Sequence, residues 1–182
     1  LSFSAVDKKT AADIDRETEK IAAEMVKIRR LIHMDPQLPG REQETAKIVA
    51  ARLAALGFEV KTGVARGGIV GLLRGAQPGP IVALRADMDA VPIQELADVP
   101  FRSVNGGVMR AHGQDFHVAV ALGSAYVLNA LRDRMKGGVK FIFQPGPDPD
   151  SEDPESGASQ MIREGVLENP PVAVIFGFHV WP

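Results

Sequence analysis

Short apolar runs alternate with helical patterns along most of this 182-residue chain. After a predicted hairpin of two strands, at 58–64 and 67–75, three further buried strands are predicted at 81–87, 137–145 and 172–180. Helical segments separate these later strands. This alternation is typical of a layered α/β/α fold, in which helices cover both faces of a mostly parallel, mixed sheet.

Four segments carry the spacing of apolar residues that predicts helices. They are 10–35, 41–57, 116–135 and 158–169. Thr10 or Asp13 is expected to cap the first helix, and Gly57 is expected to end the second.

The composition is that of an ordinary globular domain, with 45% hydrophobic residues, 24% charged residues and a net charge of -2. There is no basic tract, which argues against nucleic-acid binding. Apolar runs are too short to predict a membrane span. The chain has no cysteine, which excludes disulfides and thiolate metal ligands.

The two ends of the sequence bear on where the protein is located and on whether it self-associates. It begins at Leu1 without a recognisable signal peptide, so cytoplasmic and exported locations are both open, and a processed end at Leu1 would favour export. At the other end, the last apolar strand is followed at once by Trp181 and Pro182. A strand left at an open sheet edge invites pairing with another copy, so we expect a homo-oligomer.

Imidazole, amide and carboxylate side chains gather at the predicted strand ends and at one helix start. They are Asp87 and Asp89 after the third strand, Asp148 after the fourth, His179 in the last, and His112, Gln114, Asp115 and His117 at the start of the third helix. Ligands of open α/β sheets bind at the carboxyl ends of strands. Imidazoles and carboxylates together suit zinc, manganese or a similar divalent ion.

Each of these residues also has a purely structural interpretation. His112 and His117 are compatible with polar residues beside a helix start, and Asp115 with a hydrogen-bond acceptor there. Asp87 and Asp89 are equally typical of a strand-end turn. The residues alone leave open whether any metal is bound.

Several motifs in a fixed order resemble the M20 metallopeptidase family, in its branch of amidohydrolases that act on N-acyl and indole-acetyl amino acids. They include "IRRLIHMDPQL", "PIVALRADMDAVPIQE", "GVMRAHGQDFHVAVALG", "KFIFQP" and "IFGFHVWP". The resemblance implies a zinc-exopeptidase-like catalytic domain with two metal ions that activate water and polarise the substrate carbonyl. It also implies that residues 1–182 are the N-terminal part of that domain, without the dimerisation (lid) domain and the C-terminal catalytic half.

The histidine-rich motif departs from the family pattern at its ligand positions. The family reads Met-His-Ala-Cys-Gly-His-Asp-Gly-His, in which the cysteine and the second histidine bind metal. The resemblance places His112 and Gln114 at these two positions, with Arg110 at the first histidine. A neutral amide is a poor substitute for imidazole as a zinc ligand. The frame of the motif, Asp115 and His117, is retained.

A second departure lies after the fourth strand. The family reads Phe-Gln-Pro-Ala-Glu-Glu, in which the first glutamate is the general base and the second is a metal ligand. Pro147 and Asp148 stand at these positions. Proline has no side chain that accepts a proton, so no catalytic residue is assigned. His179 stands at a further metal-ligand position.

The resemblance therefore implies metal-dependent hydrolysis of amide bonds in N-acyl amino acids or small peptides, impaired in this chain. His112, Gln114, Asp148 and His179 would hold zinc, manganese or cobalt. Asp87, Asp89, Asp115 and His117 would lie behind these ligands or face the substrate. The alternative is a catalytically inactive or truncated relative that acts as a binding or assembly module.

Overall fold

The computed structural model describes residues 6–147 and 156–180. Its helices are α1 (Lys8–Met34), α2 (Gln43–Ala55), α3 (Gln114–Ala130) and α4 (Gly157–Arg163). Its strands are β1 (Glu59–Val64), β2 (Gly68–Arg74), β3 (Gln77–Asp87), β4 (Lys136–Gln144) and β5 (Val172–Gly177). In these parts of the chain, no helix combines the length and apolarity needed to cross a membrane.

The five strands form one mixed sheet in the order β1-β2-β4-β3-β5. β3 runs parallel to both β4 and β5, while β2 runs antiparallel to β1 and β4. Four strands therefore run in one direction and β2 opposes them. This confirms the predicted α/β class with a mostly parallel, mixed sheet.

Helices cover both faces of the sheet. Because side chains alternate between the faces of a strand, Phe141 and Phe143 of β4 pack in the core beneath α1, α2 and α3. Ile142, between them, packs on the other face with Met161 of α4. The layered α/β/α arrangement predicted from the sequence is confirmed.

Two helix ends show how local residues set the boundaries. Asp7 caps α1, three residues before Thr10 and six before Asp13, so neither predicted cap is right: Oδ1 of Asp7 accepts from the Thr10 backbone N–H at 2.9 Å. α2 ends at Ala55, and the predicted glycine, Gly57, follows its C-cap Leu56 with a φ of +77°, the left-handed conformation that glycine adopts at least cost.

β5 lies at the edge of the sheet and pairs only with β3 among the described residues. Its sequence "VAVIFG" has no charge, and Ile175 and Phe176 are 48% and 49% exposed. Uncharged edge strands with unpaired backbone groups are templates for pairing with another chain.

We predict that the chain self-associates through β5. Phe176→Lys places a charge on the edge strand and should shift the protein toward monomer, measured by light scattering. Leu96→Lys is the matched control, because Leu96 is 91% exposed and lies outside β5. A wild-type protein that stays monomeric at high concentration would contradict the prediction.

Candidate metal centre

The parallel strands bring three polar side chains to one edge of the sheet. Arg85 of β3 is paired with Gly177 of β5, so Asp87 and His179, each two residues further on, lie side by side. The first turn of α3 adds His117. One ligand atom from each of Asp87, His117 and His179 lies within 4.8 Å of the others.

His117 is fully buried and uses both ring nitrogens. Nδ1 lies 2.7 Å from Oδ1 of Asp87, and Nε2 accepts the backbone N–H of Val180 at 3.0 Å. The other carboxylate oxygen of Asp87 is 3.6 Å from Nη1 of Arg85. Asp87 is therefore held between an imidazole and a guanidinium.

His179 is exposed and lies against His117, with ring centroids 4.4 Å apart. Its Nδ1 is 2.6 Å from the carbonyl oxygen of Val180 and donates to it. Its Nε2 has no hydrogen-bond partner among the described residues. His179 is thus the histidine of this group with a nitrogen available to an ion.

Gln114 is 3% exposed, and its buried Oε1 has no hydrogen-bond partner in the described chain. A buried amide oxygen without a donor is costly, so this atom is available to a cation or a donor. His112, by contrast, is exposed and lies outside the group of three. Pro147 is exposed at the end of the described segment, and Asp148 lies outside the described residues.

Arg110, which the resemblance places at the first histidine of the motif, is 2% exposed and has a structural role. Its Nη1 donates to the carbonyl oxygen of Ile32, and its Nη2 donates to Oγ1 of Thr45, both at 2.7 Å. Burial lowers the pKa of Arg110 to about 10, so the guanidinium is still charged at neutral pH. It joins the end of α1 to the start of α2.

Asp89 lies two residues beyond Asp87 on the same sheet edge. Burial, together with the negative charge of Asp87, raises the pKa of Asp89 above its ordinary value. A positive charge beside Asp89 would therefore favour the ionised form of its carboxyl group.

Asp115 ties the start of α3 to α1. Its Oδ2 accepts from Nε of Arg29 at 2.8 Å and from Nδ1 of His33 at 3.0 Å. The other nitrogen of His33 is 3.1 Å from Oε1 of Glu95. Burial alone would raise the pKa of Asp115, but the His33 hydrogen bond and the Arg29 charge outweigh it and hold that pKa low.

Two buried glutamates of this region, Glu95 and Glu42, were not predicted from the sequence as site residues. Glu95 comes from an irregular segment, and it also accepts the backbone N–H of Ser103 at 2.6 Å. Glu42 is 1% exposed and accepts the N–H of Gly146 at 2.7 Å, while its Oε2 has no partner among the described residues. Burial raises the pKa of Glu42. Neither position carries a spacing that marks a site.

Comparisons with known proteins agree with this architecture. A family model described as Peptidase family M20/M25/M40 matches residues 83–182. The chain belongs to this family.

Two relatives and one solved structure show the extent of the likeness. Thermostable carboxypeptidase 2 of Saccharolobus solfataricus is 42% identical over 92% of this chain and 42% of that protein. The N-acyl-L-amino acid amidohydrolase of Geobacillus stearothermophilus is 37% identical over 94% and 45%. The Bacillus subtilis YXEP protein, a dinuclear metal-binding peptidase of the M20 family, superposes with a TM-score of 0.81 at 36% identity, covering 90% of this chain and 44% of that one. This M20 chain spans less than half the length of these relatives.

The donor set of this M20 chain fits a divalent ion. A ring nitrogen of His179 and the carboxylate of Asp87 lie close together, and imidazole and carboxylate are both ligands that zinc takes in proteins. The free Nε2 of His179 and the unpartnered Oε1 of Gln114 are the donors that no other described group uses.

We predict that His33 makes stability depend on pH. The hydrogen bond to Asp115 raises the pKa of His33 above its ordinary 6.5, although burial opposes this, and Glu95 adds to the effect. Protonated His33 therefore contributes stability that is complete below pH 6.5 and is lost as the pH rises through the higher pKa of the folded state.

His33→Gln should lower the free energy of unfolding at pH 6 by about 2 kcal/mol, the order of a buried hydrogen bond to a charged group. The difference between variant and wild type should shrink by pH 9. Denaturant melts at both pH values measure this, and exposed His112→Gln is the control. Equal losses at pH 6 and pH 9 would show that His33 acts by packing alone.

Proposed function

We propose that this chain is part of a metal-dependent hydrolase that cleaves amide bonds of N-acyl amino acids or small peptides, at a rate impaired by its altered site. The convergence of Asp87, His117 and His179 at the carboxyl edge of an M20 sheet is the observation that carries the proposal. The names of the relatives support the substrate class, since they include a carboxypeptidase and an N-acyl-amino acid amidohydrolase.

The residues divide into ion-holding and supporting groups. His179 offers a free nitrogen and Gln114 a free amide oxygen, and by resemblance Asp148 adds a carboxylate. A bound divalent ion supplies an acidified water and a polarised substrate carbonyl. Asp87 and Asp89 bring negative charge to the same edge, which stabilises a cation there.

The expected weakness of the reaction has a specific cause. A general base takes a proton from the attacking water and contributes on the order of 10²- to 10⁴-fold in rate. Pro147 stands where the family carries this base and has no group that accepts a proton. Glu42 accepts the N–H of Gly146, the residue before Pro147, but its side chain is only 1% exposed and is therefore shielded from bulk water and substrate.

A second candidate is a non-catalytic relative that acts as a binding or assembly module. Pro147 at the base position and Gln114 at a ligand position favour it, since either change alone weakens hydrolysis. The exposed, uncharged edge of β5 is compatible with an assembly role.

We predict that zinc, manganese or cobalt raises the melting temperature of the chain. An ion at 100 times its dissociation constant stabilises the folded state by about 2.7 kcal/mol. His179→Ala should abolish the shift, whereas His112→Ala should preserve it, because His112 lies outside the three-residue group. An unchanged melting temperature with all three metals would contradict metal binding, and loss in His112→Ala would make that residue a ligand.

We predict that Pro147→Glu increases amide hydrolysis by about 10²- to 10⁴-fold, because it restores a proton acceptor at the base position. The assay is release of amino acid from an N-acetyl amino acid and from a dipeptide, with added zinc or manganese. Pro147→Gln is the matched control, since it has similar size but accepts no proton at neutral pH. Equal rates in the two variants would favour the non-catalytic module.

A further inference from the structure

The three-residue group Asp87, His117 and His179 contains two histidines whose ring nitrogens are used differently. His117 has a partner on each nitrogen, whereas His179 has one on Nδ1 alone among the described residues. We propose that His117 is a positioning residue that orients His179 toward the metal and is not itself a ligand. This rests on the proposed function, since it assigns roles within the same centre.

The hydrogen bonds fix the tautomer of His117. Oδ1 of the Asp87 carboxylate accepts the hydrogen bond from Nδ1 of His117, so Nδ1 carries the proton. Nε2 accepts the N–H of Val180, so it carries a lone pair and no proton. The only lone pair that the ring could offer an ion is therefore already used by the backbone of Val180.

The backbone of Val180 connects the two histidines. Its N–H is held by His117 at 3.0 Å, and its carbonyl oxygen is held by Nδ1 of His179 at 2.6 Å. With Nδ1 donating to that carbonyl, Nε2 of His179 keeps its lone pair. The N–H and the carbonyl belong to the two peptide groups that flank the Cα of Val180, so His117 holds the residue whose carbonyl oxygen accepts from His179.

Gly113 lets Val180 reach this position. A Cβ at Gly113 would overlap Cγ2 of Val180, and the φ of +82° at Gly113 also disfavours other residues. Asp87 of β3 holds the other side of the His117 ring through its hydrogen bond to Nδ1. The chain Asp87–His117–Val180 therefore runs behind His179 in the way that hydrogen-bonded side chains orient metal-binding histidines.

Variants at His117 separate a positioning role from ligation. His117→Gln carries an amide oxygen that can still accept the Val180 N–H, while His117→Leu cannot. We expect zinc affinity to fall on the order of 10- to 100-fold in His117→Leu, the usual range for groups behind a ligand, and to be largely recovered in His117→Gln. His179→Ala should lose the ion altogether. Zinc binding is measured by calorimetry on the full chain.

Nitrogen NMR of histidine-labelled protein gives an independent signature. On zinc addition the Nε2 resonance of His179 should shift as a metal-bound nitrogen, while Nε2 of His117 keeps its hydrogen bond to Val180. A metal-type shift at His117, or loss of zinc by His117→Gln equal to that of His179→Ala, would overturn the proposal.

The metal-free protein distinguishes failure of this inference from failure of the proposed function. Amide exchange at Val180 should be slow in wild type and in His117→Gln, and fast in His117→Leu. Wild type that binds no zinc but shows this pattern would sink the metal function and leave the His117–Val180 contact supported. Slow exchange in His117→Leu would overturn the positioning role whatever the metal result.

Discussion

The parallel pairing of β3 with β4 and β5 determines where this chain can bind a ligand. In parallel strands the carboxyl ends meet at one edge, and here Asp87 is paired with Gln144 while Arg85 is paired with Gly177. The residues that follow each strand are therefore neighbours in space although they lie far apart in sequence. A register shift of one residue would turn Asp87 to the other face of the sheet and separate it from His117 and His179.

The start of α3 is the second fixed point, and buried charge holds it there. Asp115 accepts hydrogen bonds from Arg29 and His33 of α1, so the start of α3 is fixed against α1. One half-turn later His117 reaches Asp87. The start of α3 thus contacts α1 through Asp115 and the sheet edge through His117. The geometry of the centre therefore depends on how α1 packs.

The sequence predicted the strands, the helices and the edge where the polar residues meet, because these depend on local patterns and on a general rule for parallel sheets. It placed His179 and Asp87 near one another for the same reason. It did not predict that His112 is exposed while Gln114 is buried, since the rotation of a helix start depends on tertiary contacts such as Asp115 with His33. Glu42 and Glu95 were missed because a buried glutamate in an irregular segment or at a helix cap carries no spacing signal. The roles of the two histidines also needed the structure, because they depend on the N–H and carbonyl of Val180.

The pattern of altered and retained positions has a physical explanation. Asp87, Asp115 and His117 each make buried hydrogen bonds within the chain, so replacing any of them would leave a buried partner unsatisfied, at a cost of about 1–3 kcal/mol. The positions that depart from the family make few such demands: Pro147 is exposed, and Oε1 of Gln114 has no partner among the described residues. Arg110, which the resemblance places at a histidine position, differs from these two because it donates to Ile32 and Thr45. Folding therefore constrains Asp87, Asp115 and His117 independently of catalysis, whereas the described hydrogen bonds place no such constraint on Pro147 or on Oε1 of Gln114. If the resemblance holds, a chain released from selection for hydrolysis would change first at those two positions, and a chain still selected for it would need a group other than Pro147 as the base.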